Sequence, residues 1–250
     1  MSLLRRVVRR LRRVAYAALG RTPFGTITSV ATREPLVAIT FDGGPDERWT
    51  PQVLDVLAAH GALATFFVIG TYVDRHPELM QRIVREGHAL GNHSHDHPSY
   101  PLVSSAERRR DLRACAAALA PYPQPLRLFR PPYLDQCVAS RFDSWRLGYA
   151  VVTCSRHAND WEDRPSEEMT GVLNETIRGG DIVMLHDAVC DQRYRSRAAM
   201  IETLDAVLRA QHDRFRFVTV PELIAAGRPR REMWIKKPNV RRLASYQRDF

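Results

Sequence analysis

Apolar residues reach the chain in short runs broken by polar and turn residues, and the runs alternate between two periods. Leu36–Phe41 is an apolar run, interrupted only by Thr40, that stops at Asp42-Gly43-Gly44-Pro45. This pattern predicts a buried strand that delivers a carboxylate to a sharp turn. Residues 51–60 follow with Val53, Leu54, Val56 and Leu57 at helical spacing. Residues 64–70 read as a second strand, 77–86 as a helix and 88–92 as a short strand. Residues 105–119 read as a long helix with Arg and Glu on its outer side. Strands are predicted at 126–130, 149–153, 181–185 and 215–218, with helices at 166–178 and 195–211. Strands alternating with helices imply an α/β domain with a mainly parallel sheet, either open or closed as a barrel. There is no internal repeat. Residues 21–34 read as a polar connector, and residues from Arg228 onward as an extended basic arm.

Residues 3–19 have their own pattern. Leu3, Leu4, Val7, Val8, Leu11, Val14, Ala15, Ala18 and Leu19 share one helical face, and Arg5, Arg6, Arg9, Arg10, Arg12 and Arg13 share the other. Gly20 suits the helix end. The charge-free stretch from Val14 to Gly20 is too short to span a bilayer. The expected partner is an anionic membrane surface, with the helix lying in its plane. Two other readings are a helix docked on the protein's own acidic body and a degenerate export signal. The division is therefore a cationic helix at 1–20, a connector at 21–34, a catalytic domain at 35–227 and a basic arm at 228–250.

Charge supports this division. The chain of 250 residues carries a net charge of +9, but residues 1–21 hold seven Arg and no acid. Residues 228–250 hold eight Lys or Arg against two acids. Without these ends the body has 22 basic and 26 acidic residues, which argues against a nucleic-acid-binding body. Cys115, Cys137, Cys154 and Cys190 form no close pair, so they read as scattered thiols rather than a zinc ribbon or a redox motif.

Five short stretches could carry chemistry, each at the end of a predicted strand. Asp42 is the first. His93-Ser94-His95-Asp96-His97 is the second, and histidines this dense suggest a metal site. Arg130-Pro131-Pro132-Tyr133 is the third; its prolines restrict the backbone around a cation. His157-Ala158-Asn159-Asp160-Trp161 is the fourth. Met184-Leu185-His186-Asp187 is the fifth, where a histidine oriented by an aspartate would form an acid–base pair.

Order and spacing resemble the polysaccharide deacetylases of carbohydrate esterase family 4, the nodulation-type chitooligosaccharide deacetylase domain. The resemblance covers residues 35–225. The family pattern is Thr-Phe-Asp-Asp-Gly-Pro, His-Ser/Thr-x-x-His, Arg-x-Pro-Tyr, Asp-x-x-Asp-Trp and Leu-x-His. It implies a distorted, incomplete (β/α)7-type barrel in a single domain, with a groove at the strand C-terminal ends. It implies Asp42 as the base that activates water, with Arg130 paired to it and tuning its pKa. It implies His93 and His97 as ligands of a divalent metal, zinc in the first instance. Asp160 would orient His186, which would protonate the leaving amine. The Tyr133 backbone N–H would help hold the oxyanion, and Trp161 and Leu185 would line the pocket for the acetyl methyl.

Two positions depart from the family pattern. Gly43 stands where the family has its third metal ligand, and His157 stands where the fourth motif has its first Asp. Three readings follow: a metal weakly held on two histidines, a metal-free hydrolase, or an impaired glycan-binding module. On the family's geometry, Gly43→Asp would tighten metal binding. The expected activity is removal of an N-acetyl or other N-acyl group from an amino sugar. A lipid-linked or cell-envelope precursor at the cytoplasmic face of the membrane would suit the basic helix. The alternatives are a soluble amino-sugar amidase and an exported, membrane-anchored enzyme.

Overall fold

The structure, a computed structural model, describes residues 15, 18–162, 164–189 and 196–240. Most of the predicted cationic helix, Cys190 and the chain after Val240 lie outside the described residues.

The chain begins with β1 (Thr26–Ala31), then β2 (Leu36–Asp42), α1 (Thr50–Ala59), β3 (Ala64–Val68), α2 (Gly70–Val73), α3 (Pro77–Arg85) and β4 (Ala89–Asn92). There follow α4 (Ser105–Ala118), β5 (Leu128–Phe129), α5 (Val138–Arg146), β6 (Ala150–Val151), β7 (Arg156–His157), α6 (Ser166–Thr176) and β8 (Ile182–His186). The chain closes with α7 (Ala198–Gln211), β9 (Arg216–Phe217), α8 (Val220–Ala225) and β10 (Arg228–Glu232).

Seven parallel strands line up in the order β6-β5-β4-β3-β2-β8-β7, and β9 pairs with the start of β2. This order is that of a barrel opened between β6 and β7, as the α/β alternation and the family resemblance lead one to expect. The opening has a local cause. Only residues 152–155 separate β6 from β7, far too few for a helical crossover. Bridges from β1 tie the two sides together, Ile27 to Val152 and Ser29 to Asp181.

β1 corrects the polar-connector reading of residues 21–34. Thr26, Ile27 and Val30 are buried, and β1 pairs antiparallel with β10 from Thr26↔Glu232 to Ala31↔Arg228. The Thr and Ser content hid a stretch whose β-branched residues suit a strand. The same pairing shows that the arm from Arg228 begins as a docked strand. α5, β7 and α8 were also absent from the sequence reading. α5 is inside out: Arg141, Asp143 and Ser144 are buried, while Phe142 and Trp145 are exposed.

Strand alternation sorts the core into two sides. Val37, Ile39 and Phe41 of β2, with Val183 and Leu185 of β8, pack outward against helices, meeting Leu54, Leu57, Leu204 and Leu208. Leu36, Ala38, Phe67 and Ile182 pack inward with Ile27, Val30 and Val220. Asp42 falls on the inward row at the C-terminal end of β2. Phe41 and Phe66 stack with centroids 5.1 Å apart in the outer cluster. Phe66→Ala is expected to cost about 3–5 kcal/mol by leaving a cavity there, read as a shift in the urea midpoint.

Candidate active site

Asp42 is 2% exposed and Arg130 fully buried. Arg130 follows β5, and its Nη1 donates to Asp42 Oδ1 at 2.6 Å and to Thr40 Oγ1 at 2.7 Å. Nη2 donates to the Thr153 carbonyl at 2.8 Å, and the guanidinium lies 4.1 Å from the centre of the Phe67 ring. One buried cation therefore ties β2 to the chain beyond β5 and β6. Its hydrogen bonds leave Asp42 Oδ2 on the side of the histidines, where His93 Nε2 lies 3.9 Å away.

His93 and His97 come together as the sequence suggested. His93 Nδ1 faces the Arg130 carbonyl at 2.8 Å, so it must carry the proton and donate it. Burial pushes the His93 pKa down to about 3 and holds His97 well below its ordinary value. Neutral His93 therefore presents a lone pair at Nε2. His97 Nε2 lies 3.3 Å from it. That is the separation of two ligands at ~2.0–2.1 Å on a tetrahedral cation, and the carbonyl partner on His93 is the kind that orients a metal-binding imidazole. The pair thus fits two positions of a divalent ion. Among the described residues no cluster of three or more His, Cys, Asp or Glu completes the set. His95 packs instead against Gly70, where an added Cβ would lie 2.2 Å from its Nδ1.

Gly43 explains the missing third ligand. Its φ is +96°, and a Cβ built on it would lie 2.4 Å from the Ala188 backbone carbonyl. The next residue is equally constrained, since a Cβ on Gly44 would lie 2.1 Å from Asp187 Oδ2. Asp187 accepts from Gly44 N–H at 3.1 Å and from Thr50 Oγ1 at 2.6 Å. Burial raises its pKa to about 7. Asp187 thus clamps the turn after Asp42, while Asp160 orients His186.

His186 stands opposite Asp42 in the β2–β8 register. Asp160, 2% exposed, accepts from His186 N–H at 2.8 Å and meets His186 Nδ1 at 3.1 Å. Burial alone would lower the His186 pKa, but the charge and hydrogen bond of Asp160 outweigh it and raise it above the ordinary 6.5. Arg197 donates to the Asp160 carbonyl at 2.6 Å. Trp161 stands edge-on to His186, with centroids 5.5 Å apart, and His157 lies beside it at 5.1 Å.

Leu185 is misplaced in the sequence reading. It lies in the outer cluster against the helices, on the opposite face of β8 from His186. Residues two apart share a face, so Met184 is the neighbour on the His186 side.

Tyr133 and Leu134 both have φ +56°, a costly conformation for residues with a Cβ. The Tyr133 ring stands edge-on to His97, 4.6 Å between centroids. This loop is pinned from the far end of the chain. Trp234 Nε1 donates to Leu134 O at 3.1 Å, Lys236 Nζ donates to Tyr133 O, and Gln136 and Lys236 exchange backbone bonds of 3.0 Å.

Sequence reasoning also missed the clamps on the histidine loop. Asp111 on α4 accepts from the N–H groups of His95 and Asp96 and from the Tyr100 hydroxyl. Asn92 accepts from Ser94 N–H at 2.7 Å. Asn92 adjoins His93 in sequence and could have been suspected; Asp111, inside an arginine-rich helix, carried no signal.

The family described as polysaccharide deacetylase matches residues 29–152. A peptidoglycan-N-acetylglucosamine deacetylase of Bacillus cereus is 36% identical over 207 residues, spanning 81% of this chain and 94% of the relative. A chitooligosaccharide deacetylase of a Bradyrhizobium species is 38% identical over 193 residues, spanning 76% of this chain and 85% of the relative. Among solved structures, the Bc1960 peptidoglycan N-acetylglucosamine deacetylase superposes with a TM-score of 0.74 at 26% identity, covering 81% of this chain and 94% of that one.

Two outcomes follow from the geometry. Asp160→Asn removes the charge that outweighs burial, so the His186 pKa should fall below 6.5 in an NMR titration. Because the pKa is raised in the folded protein, the stabilisation it brings is complete below 6.5 and is lost as pH rises through the folded value. Asp160→Asn should therefore remove a stability advantage present in acid and absent at high pH. Gly43→Ala should lower stability by ~1–3 kcal/mol because of the positive φ and the Ala188 carbonyl. Gly43→Asp should carry the same cost without tightening zinc binding by calorimetry, contrary to the expectation from the family pattern alone.

Proposed function

The chain belongs to the polysaccharide deacetylase family of carbohydrate esterase family 4, and on that premise we propose that it hydrolyses the N-acetyl amide of N-acetylglucosamine units in a glycan. The observation that carries this reading is the buried Asp42–Arg130 pair facing an Asp160-held His186 across the β2–β8 register. The named substrates of the relatives, peptidoglycan N-acetylglucosamine and chitooligosaccharide, support the choice of sugar.

In the proposed reaction Asp42 takes a proton from water as the water oxygen bonds to the acetyl carbon. Arg130 fixes the carboxylate so that its free oxygen meets the water. The amide oxygen gathers negative charge, and the Tyr133 backbone N–H is the proposed donor to it. The C–N bond then breaks, and His186 gives its proton to the departing nitrogen. Asp160 keeps His186 protonated until that step. Acetate and a free amine leave. A divalent cation on His93 and His97, zinc by their chemistry, would polarise the amide oxygen and acidify water. Trp161 and Met184 are proposed to flank the acetyl methyl.

The basic helical pattern of residues 3–19 supports a lipid-linked or cell-envelope glycan precursor as one form of that substrate. One observation favours a second reading, a glycan-binding domain with impaired turnover: Gly43 offers no third ligand and its surroundings leave no room for one.

Incubation with N-acetylated chitooligosaccharides should release acetate, measured enzymatically. Asp42→Asn should lower the rate by about 10²–10⁴. Binding without acetate release by the unaltered protein, with and without added zinc, would replace the hydrolase by the binding domain.

A further inference from the structure

Residues 132–135 make a turn that their side chains do not favour. The Pro132 carbonyl accepts from Asp135 N–H at 3.0 Å, and the two residues between them, Tyr133 and Leu134, both have φ +56°. Turns with positive φ at both central positions are ordinarily built from Gly, Asn or Asp. Tyr and Leu lack that tolerance, so such a turn persists only where its surroundings hold it. The holding groups come from the chain after β10. Trp234 Nε1 donates to Leu134 O at 3.1 Å, and Lys236 Nζ donates to Tyr133 O. This arm thus takes the carbonyls of the two residues at positive φ.

The arm is itself fixed. Gln136 is buried and exchanges backbone bonds of 3.0 Å with Lys236. Its Nε2 donates to the Trp234 carbonyl at 2.7 Å and to Thr26 Oγ1 on β1 at 3.0 Å. Asp135, also buried, faces Lys236 Nζ at 3.5 Å and accepts from Ser99 Oγ at 2.9 Å. Ser99 lies two positions after His97, whose ring meets that of Tyr133. Arm, turn and histidine segment are therefore one connected unit.

A peptide unit is planar, so the Tyr133 N–H and the Pro132 carbonyl turn together. The bond from Asp135 N–H to that carbonyl thereby sets the direction of the Tyr133 N–H. We propose that Trp234 and Lys236 are positioning residues for amide hydrolysis, holding the turn in which the Tyr133 N–H meets the developing oxyanion. The proposal rests on the hydrolase reading above. Neither residue touches the reacting atoms, and neither lies in the five stretches that carry the chemistry. Loss of their donors lets Tyr133 and Leu134 relax toward negative φ, and the Pro132–Tyr133 peptide rotates with them. The Tyr133 contact strengthens only as charge gathers on the amide oxygen, so its loss falls on kcat rather than on KM.

Steady-state acetate release from N-acetylated chitooligosaccharides tests this. Trp234→Phe, which keeps a ring but loses the N–H, combined with Lys236→Met should lower kcat about 10–100-fold and leave KM within about twofold. Lys236→Met alone should give a smaller loss of the same kind, and serves if the double variant does not fold. Lys236→Arg keeps a donor and should retain most of the parent rate. Lys237→Met, exposed in the same arm, should leave both constants unchanged. An inactive parent chain would overturn the hydrolase reading and this role with it. With an active parent, four outcomes would overturn this role alone. They are an unchanged kcat in the folded variants, a rise in KM without a fall in kcat, an equal loss in Lys236→Arg, and an equal loss in Lys237→Met.

Discussion

A single guanidinium holds the C-terminal end of the sheet together. Arg130 has no exposure to solvent, and its donors meet a carboxylate, a hydroxyl and a carbonyl. A charge buried this deeply is tolerable only when fully partnered. Each partner is thereby fixed: Asp42 at the end of β2, Thr40 on the same strand face, Thr153 beyond β6. Its own carbonyl then fixes the tautomer of His93. The placement of Asp42 and of His93 thus depends on one ionic contact, and removing either partner would leave a buried charge at a cost of roughly 3–5 kcal/mol.

The His186 side of the groove has its own supports. Asp160 spends one oxygen on the His186 backbone and the other on its ring, and Arg197 holds the Asp160 carbonyl. Asp187, next in sequence to His186, turns the other way and closes the Gly43–Gly44 turn. Adjacent residues of one strand end therefore serve opposite walls, because side chains alternate. The Ala188 carbonyl follows from the same turn, and it occupies the space that a side chain at position 43 would need. The loss of the third-ligand residue and the packing of the turn are one structural fact.

Much of this was legible in the sequence, for identifiable reasons. Buried parallel strands announce themselves as apolar runs, interrupted here only by Thr40 and Thr65, so β2, β3 and β8 were placed well and the residues at their ends lie at one edge of the sheet. Asp42, Arg130, His93, His97, Asp160 and His186 fall together because each ends or follows a strand of one sheet. Leu185 failed on register: the pattern Leu-x-His puts its apolar residue two positions before the histidine, which here is Met184, on the strand face that His186 shares. β1 and β10 failed because their pairing, from Thr26 to Glu232, spans nearly the whole chain and leaves no local pattern. Asp111, Asp187 and Arg197 act through hydrogen bonds to groups on other elements, and no spacing rule marks such residues. α5 failed because its polarity is reversed.

The brace on the Tyr133 loop has a consequence for how the protein comes into being. Lys236 reaches back across 103 positions to hold the Tyr133 carbonyl. On the ribosome, Asp42, the histidine pair and Arg130 emerge long before that contact can form, and His186 still precedes it by dozens of residues. A growing chain could thus assemble its ionic centre and its acid while the loop beside His97 lacks its anchor. The groove acquires its final shape only after the chain through Lys236 has been translated and β10 has zipped onto β1.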